Sequence, residues 1–202
     1  MSQFRKFLLN NCSKPTIFGA PMNGGINNPR FAAAVISQGG VGGFGFTYHS
    51  PAQISKDIQE TRRLASGPIN ANFFVFDEVV PPSSDEIFAA SKELIDRLGG
   101  DLTASDMKIP TAPYHPSIDE QIQAIWAEKP EILTFHFDIP KKEFIAEAQK
   151  LGIFVGVTAT SVSEAHQVKE SGADFVVAQG TEAGGHRGMF NATWKEKRAG
   201  NV

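Results

Sequence analysis

The residue with the clearest capacity for acid–base chemistry is His136, which lies near the end of a short apolar run, residues 132–137. Side chains alternate between the two faces of a strand, so Thr134 and His136 are predicted to point inward. The apolar residues of the other face are predicted to pack outward against helices: Leu133, Phe135 and Phe137. An imidazole at a strand end suits a general base, but the strand alone favours the alternative of a core histidine bonded to a backbone carbonyl.

A glycine-rich segment, residues 178–188, directly follows the last apolar run and is the second candidate for chemistry. Its four glycines allow a planar or phosphorylated ligand to approach the backbone and let N–H groups turn toward that ligand. The carboxamide of Gln179 can bond a ring carbonyl or nitrogen, while His186 and Arg187 can add charge. The residues leave two interpretations open, a ligand-binding loop and a flexible surface loop.

Three earlier strand ends also carry glycine or polar residues: residues 20–25, 43–46 and 70–74. Asn70 and Asn72 share one strand face, where an asparagine is unfavourable unless its amide is bonded to a partner such as a cofactor. Otherwise these asparagines would cap a turn. If the strands close into a barrel, all of these ends converge at its carboxyl-terminal edge.

The elements that would position these residues follow a repeating strand and helix pattern. Six apolar runs are predicted as buried strands: residues 17–22, 41–46, 69–75, 132–137, 154–157 and 175–178. The helices between them begin at capping signals, which are Asn28-Pro29, Ser50-Pro51, Ser83 with Glu86, Ser117 with Glu120 and Ser161 with Glu164. One further helix follows Pro140. Glycines end the helices, as at Gly99-Gly100, and the proline-rich residues 109–116 are predicted as a surface loop.

Strict alternation of strands and helices implies a parallel α/β sheet, either closed as a TIM-type (β/α) barrel or open and doubly wound. Two features favour the barrel. No dinucleotide-binding fingerprint follows the first run, and polar or glycine-rich residues cluster after nearly every strand. The 202 residues are predicted to form one domain, residues 1–202, with residues 189–202 as a tail outside the barrel.

Composition narrows the classes of function. The chain has 19 basic and 22 acidic residues, a net charge of -3 and no long block of like charge, so no nucleic-acid or membrane partner is expected. Cys12 is the only cysteine, and the remaining histidines, His49, His115 and His166, are predicted to be exposed without metal-ligand spacing. No metal site is therefore predicted. No apolar run is long enough for a signal peptide or a membrane span, which predicts a cytoplasmic protein.

Together, the strand-end segments resemble the nitronate monooxygenase family, also called 2-nitropropane dioxygenases. The resemblance spans roughly residues 15–190 and rests on four segments, which are Ala20-Pro21-Met22, Asn70-Ala71-Asn72, Phe135-His136-Phe137 and the loop of residues 178–188. The loop is the most diagnostic of the four. The resemblance implies an FMN-dependent (β/α) barrel.

The resemblance also implies roles for individual residues. His136 matches the catalytic histidine of the family, and His186 is expected to contact substrate. The residues expected to lie against FMN are Ala20, Pro21, Met22, Asn72, Gln179, Gly180, Gly184 and Gly185. The implied reaction is oxidation of an alkyl nitronate, such as propionate 3-nitronate, by electron transfer to FMN and then reaction with molecular oxygen.

The sequence departs from the family pattern after Gly188, where no further apolar strand follows. The barrel is therefore predicted to be incomplete, with about six of eight βα units, and to lack the phosphate-binding loops that follow strands seven and eight. Weak FMN binding, doubtful activity and self-association through open barrel edges are expected. Two alternatives remain: an FMN-dependent enoyl reductase, or a non-catalytic fragment without the flavin phosphate site.

Overall fold

The computed structural model describes residues 1–75, 82–98, 103, 106 and 115–190. Contacts along the chain form two compact units, one of Met1–Val75 with Pro116–Val202 and a smaller one of Phe76–His115. The described helices and strands are α1 (Gln3–Asn11), α2 (Pro29–Ser37), β1 (Gly42–Gly45), α3 (Pro51–Leu64), β2 (Ile69–Phe74), α4 (Ser84–Leu98), α5 (Ile118–Glu128), β3 (Ile132–His136), α6 (Lys142–Lys150), β4 (Phe154–Ala159), α7 (Val162–Glu170) and β5 (Phe175–Ala178). Helix α4 belongs to the smaller unit, and every other element belongs to the larger one.

The five strands of the larger unit form one parallel sheet in the order β1-β2-β3-β4-β5. Sequential order with helical crossovers is the arrangement of a TIM-type barrel, whereas a doubly wound sheet would reverse its order around the first strand. The predicted α/β barrel fold is therefore confirmed. The chain contains part of such a barrel.

The first predicted strand, residues 17–22, differs from the prediction because it makes only one isolated parallel bridge, between Phe18 and Val41. The side chain of Asn27 explains where the pairing stops. Its Nδ2 donates to the carbonyls of Ala20 (2.6 Å) and Gly43 (2.7 Å), so a side chain satisfies both acceptors. The following Pro21 has no N–H to continue a ladder.

The predicted helix starts are largely confirmed. The side chains of Asn28, Ser50 and Ser161 each accept a hydrogen bond from the backbone N–H three residues later. In the smaller unit, Ser83 and Glu86 form the reciprocal capping box. Ser117 caps α5 through the N–H of Asp119 rather than through a box with Glu120.

The core of the larger unit lies between the outer face of the sheet and its helices. Leu133 and Phe135 are fully buried there, as predicted, in one cluster with Ile58 of α3 and Ile122 of α5. Phe137 does not follow this pattern, because β3 ends at His136 and the Phe137 ring contacts Phe74 and His186 instead. The prediction of an outward Phe137 was wrong because the strand alternation stops one residue earlier.

Helix α1 is an element that the strand and helix pattern did not predict. It begins at the N-cap Ser2 and covers the amino-terminal ends of β4 and β5 with aromatic residues. The Phe4 ring stacks on Phe175 at 4.0 Å, and the Phe7 ring lies 5.1 Å from Phe154. This aromatic cluster closes the end of the sheet opposite to the candidate site.

Three predictions fall outside the described residues: the helix end at Gly99-Gly100, most of the loop of residues 109–116, and residues 191–202 of the predicted tail. The single-domain assignment of residues 1–202 stays a prediction. Among the described helices, none has the length and apolar character needed to cross a bilayer.

Candidate active site

The inner face of the sheet carries polar residues in two layers near the carboxyl ends of the strands. In the lower layer the strand register places Thr134 beside Asn72 and Gly156. In the upper layer His136 lies beside Phe74 of β2, and its ring reaches Thr158 of β4. The period-two prediction that Thr134 and His136 face inward is therefore confirmed.

The side chains of the lower layer are joined by a chain of hydrogen bonds. The Thr134 hydroxyl donates to Asn70 Oδ1 at 3.0 Å and accepts from Asn72 Nδ2 at 2.9 Å, and all three side chains are buried. Thr134 thus partners the Oδ1 atom of Asn70 and the Nδ2 atom of Asn72. Asn72 lies one layer below His136 and supports the site from beneath.

His136 uses both ring nitrogens. Nδ1 lies 3.1 Å from Thr158 Oγ1, and Nε2 lies 3.0 Å from the backbone carbonyl of His186. A carbonyl can only accept, so Nε2 carries a hydrogen, and in the neutral ring Thr158 must donate to Nδ1. Burial lowers the pKa of His136; the hydrogen bond to the His186 carbonyl acts in the opposite direction, and the charge of the His186 side chain adds to the lowering.

Gln179 and His136 converge on the same acceptor. Gln179 Nε2 donates to the His186 carbonyl at 3.0 Å, and Gln179 Oε1 accepts from the N–H of Gly188 at 2.7 Å. The loop after β5 is thereby folded back over His136. Gly188 must be glycine here, because a Cβ at this position would lie 2.5 Å from His136 Cε1 and 2.8 Å from a Thr158 methyl group.

The sequence predicts Glu164 only as part of a helix cap. In the structure it also holds the end of the loop after β5, at Phe190. Its fully buried carboxylate accepts from the N–H of Thr160 (2.7 Å), from the Thr160 hydroxyl (2.8 Å) and from the N–H of Phe190 (2.8 Å). The Phe190 ring packs against the main core. His186 and the residues after it are therefore held at three points, by Gln179 at His186 and Gly188 and by Glu164 at Phe190.

Backbone strain adjoins the candidate catalytic residue. Phe137 adopts a positive φ of 78°, which is rare for an aromatic residue and costs about 1–3 kcal/mol. Its ring lies 4.5 Å from the His136 ring and 6.0 Å from the His186 ring. Strain of this kind is typical of functional sites, where packing holds a backbone in an unfavourable conformation.

The remaining predicted site residues lie in two loops. Gly184 and Gly185 have φ values of 69° and 67°, and no atom lies within 4 Å of a Cβ added to either. Gly180 precedes a short 3-10 turn, Thr181–Ala183. In the first loop Ala20 and Met22 are exposed and Pro21 is half-buried.

The chemistry of these two loops fits a flavin. Gly45 of β1 lies close to the first loop: a Cβ added to Gly45 would be 3.0 Å from the backbone carbonyl carbon of Met22. The buried Oδ1 atoms of Asn23 and Asn27 have no partner among the described residues, so they can accept from ribityl hydroxyls or a ring N–H. The open space beside Gly184 and Gly185 allows a planar ring to approach the backbone.

Thr158 is the site residue that the sequence interpretation missed. It lies two residues after Gly156 on the same strand face, so alternation along β4 could have placed it in the upper layer beside His136. The predicted strand ended at residue 157, whereas β4 continues to Ala159 and includes Thr158. His49, predicted to be exposed, is half-buried, with its ring 5.5 Å from Phe46.

Comparisons with known proteins agree with this arrangement. The family model described as nitronate monooxygenase matches residues 6–200. A nitronate monooxygenase of Paraburkholderia phytofirmans is 36% identical over 189 residues, which cover 91% of this chain and 50% of that protein. A probable nitronate monooxygenase of Bacillus subtilis is 34% identical over 201 residues, covering 99% of this chain and 55% of that protein.

Two solved structures share the fold. Nitroalkane oxidase from Streptomyces ansochromogenes superposes with a TM-score of 0.74 at 30% identity, over 90% of this chain and 51% of that one. FabK from Thermotoga maritima gives 0.64 at 24% identity, over 94% of this chain and 47% of that one. The chain thus spans about half the length of the relatives that it matches. From residue 6 to residue 200, this chain belongs to the nitronate monooxygenase family.

Proposed function

We propose that this site serves the FMN-dependent oxidation of alkyl nitronates, of the propionate 3-nitronate class, with molecular oxygen. The observation that carries the proposal is the convergence of His136 and Gln179 on one point at the carboxyl ends of the strands. In parallel (β/α) folds, this edge is where catalytic side chains collect. Membership of the family supplies the reaction class.

The residues proposed to hold FMN come from both loops. Ala20, Pro21 and Met22 would lie against the ring, and Gly180, Gly184 and Gly185 would offer their backbone. Gln179 would bond a ring heteroatom, with Asn72 supporting the layer beneath. When bound, FMN accepts the electrons of the nitronate and passes them to oxygen.

His136 is proposed to handle the proton and the charge of the substrate. Its pKa is lowered by burial, so the neutral ring predominates at neutral pH and can take the proton on the carbon alpha to a nitro group. In the protonated state the same ring can hold an anionic nitronate. The exposed side chain of His186 is proposed as a second substrate contact. In this proposal, substrate binds Nε2 only after the hydrogen bond between Nε2 and the His186 carbonyl has broken.

Oxygen consumption tests this function directly. The purified chain, supplied with saturating FMN, is expected to consume oxygen with propionate 3-nitronate. With a neutral nitroalkane, from which a proton must be removed, His136→Gln is expected to reduce the rate by about 10²–10⁴-fold. His166→Gln, a change at an exposed position of α7, is the matched control. Oxidation of a nicotinamide with an enoyl thioester would favour the enoyl reductase alternative. No turnover of any substrate at saturating FMN would favour the non-catalytic one.

A further inference from the structure

Thr158 contributes the hydroxyl group that meets the inner nitrogen of His136. Its side chain is buried, and its Oγ1 lies 3.1 Å from Nδ1. The residue behind it on the same strand face is Gly156, and the methyl group of Thr158 contacts the region of Gly188. The hydroxyl thus meets the edge of the imidazole at Nδ1, while the methyl group of the same side chain lies beside Gly188.

The other nitrogen of His136, Nε2, faces the backbone carbonyl of His186, and a substrate could bind Nε2 only if this carbonyl moved away. With the loop closed, Nε2–H donates to the His186 carbonyl, and the Thr158 hydroxyl must then donate to Nδ1. A general base needs a free lone pair on Nε2, so the proton of the neutral ring must then lie on Nδ1. The Thr158 hydroxyl can accept from Nδ1–H after a rotation of its own hydrogen.

We propose that Thr158 is the positioning residue of His136, whose hydroxyl partners Nδ1 in both tautomers and so allows the loop to change the ring from a donor to a base. This inference deepens the proposed function and rests on it for the substrate. In the working state the C–H bond alpha to the nitro group breaks. Its electron pair forms the C=N bond of the nitronate, and the proton passes to Nε2. The resulting imidazolium keeps its Nδ1–H hydrogen bond to Thr158.

A carboxylate in the place of Thr158 would favour the imidazolium and raise the pKa of the ring. A hydroxyl supplies orientation without a charge, which leaves the ring neutral and available as a base. The titratable side chain that acts electrostatically on His136 is His186, in the loop above it. The Thr158 contact therefore orients the ring in either tautomer, the loop decides which ring nitrogen carries the proton, and burial keeps the ring neutral.

Nuclear magnetic resonance of the ring nitrogens tests the proposal without turnover. The unmodified chain, Thr158→Ser and Thr158→Val are labelled with ¹⁵N-histidine, and His136 is assigned by its absence in His136→Gln. In the unmodified chain the neutral ring should carry its proton on Nε2, and Nδ1 should show the shift of a hydrogen-bonded acceptor. Thr158→Ser should keep that shift. Thr158→Val should lose it and lower the pKa of His136 by roughly 0.5 to 1, because the cation loses the stronger hydrogen bond.

Equal Nδ1 shifts and equal pKa values in the valine and serine variants, both folded by circular dichroism, would overturn the proposal. A second measurement separates it from the proposed function. With saturating FMN, Thr158→Val should slow oxidation of a neutral nitroalkane about tenfold while a preformed nitronate, which needs no proton removal, changes less than about twofold. Absence of turnover with both substrates would count against the proposed function, and the nitrogen shifts would still decide the role of Thr158.

Discussion

At the scale of single residues, the site is defined by what His136 touches. Its two nitrogens bind a buried hydroxyl and a backbone carbonyl, and aromatic rings of Phe74 and Phe137 lie 5.7 Å and 4.5 Å away. An imidazole in such surroundings loses the hydration of its charged form. Burial is accordingly the main cause of its lowered pKa.

This lowered pKa predicts how stability depends on pH. The unfolded chain protonates His136 near the ordinary value of 6.5, whereas the folded chain does so only at lower pH. The unfolded state then binds more protons in this window, so the free energy of unfolding should be fully developed above about pH 7 and decrease as pH falls below about 6.5. Urea unfolding between about pH 5 and 8 measures it.

The variant His136→Gln should lack this part of the pH dependence, while His166→Gln, on the exposed side of α7, should retain it. Asp57 titrates in a separate window, because burial raises the pKa of its carboxyl group from an ordinary value of 3.8. Its effect is a loss of stability as pH rises through the acidic range. A His136→Gln profile parallel to that of the unmodified chain between about pH 5.5 and 7.5 would contradict the expected burial effect.

At the scale of elements, buried side chains fix the loops that follow the strands. Gln121 of α5 is buried, and its Nε2 donates to the carbonyls of Phe46 (3.0 Å), Thr47 (3.0 Å) and His49 (2.7 Å) after β1. The Thr47 hydroxyl in turn accepts from the N–H of Phe74 in β2. One carboxamide therefore holds the turn that joins β1 to α3.

Replacing this carboxamide should be costly. Gln121→Leu removes the donor and leaves buried carbonyls without a partner, so we expect a loss of about 2–4 kcal/mol in the free energy of unfolding. Gln123→Leu, at an exposed position two residues along the same helix, should change it by less than about 0.5 kcal/mol. Equal losses from both variants in urea titrations would show that the helix surface, and not the Gln121 contacts, determines the effect.

The loop above His136 depends in the same way on Glu164 of α7. In Glu164→Gln, an amide N–H₂ replaces one carboxylate oxygen and cannot accept from both Thr160 and Phe190. The end of the loop should open more often, and limited proteolysis within residues 179–190 should become roughly tenfold faster. Glu170→Gln, exposed on the same helix, should leave the cleavage rate unchanged. If the two variants are cleaved at the same rate, Glu164 does not anchor the loop.

At the scale of the whole molecule, β5 forms an edge of the sheet, with no strand beyond it among the described residues. Val176 and Val177 of this strand are 37% and 38% exposed. A groove of about 340 Å³ beside it, between α7 and β5, is lined largely by apolar atoms of residues such as Ala165, Phe175 and Val176. An unpaired apolar edge favours association with another chain.

We therefore expect the 202-residue chain to self-associate in a concentration-dependent manner. Val176→Lys places a charge on the exposed edge and should shift the average mass, measured by light scattering or sedimentation, toward the monomer. Leu64→Lys, an equally non-conservative change at an exposed apolar residue ending α3, should not. If the unmodified chain is monomeric at about 100 µM, the exposed edge of β5 does not cause self-association and the prediction is wrong.

The same architecture predicts weak cofactor affinity. TIM-type barrels hold phosphate through the loops after strands seven and eight, and the described strands end with β5. For the 202 residues assayed without those loops, the absence of two or three charge-assisted hydrogen bonds, each about 1.5–3 kcal/mol, would weaken binding by several powers of ten at about 1.4 kcal/mol per decade. Fluorescence titration of FMN should give a Kd well above the micromolar range. Sub-micromolar affinity in a monomer would show that the residues around His136 suffice.

The sequence by itself determined the order of strands and helices, the helix starts and the inward direction of Thr134 and His136, because periodicity and capping are local properties. Only the tertiary structure decided which partners these side chains meet. Thr158 reaches His136 from a neighbouring strand, and the His186 carbonyl returns to it across 50 residues of chain. The early end of the first predicted strand has a similar origin, because Asn27 Nδ2 donates both to the Ala20 carbonyl of that segment and to the Gly43 carbonyl of β1. Such contacts depend on register and loop closure, which no local pattern encodes.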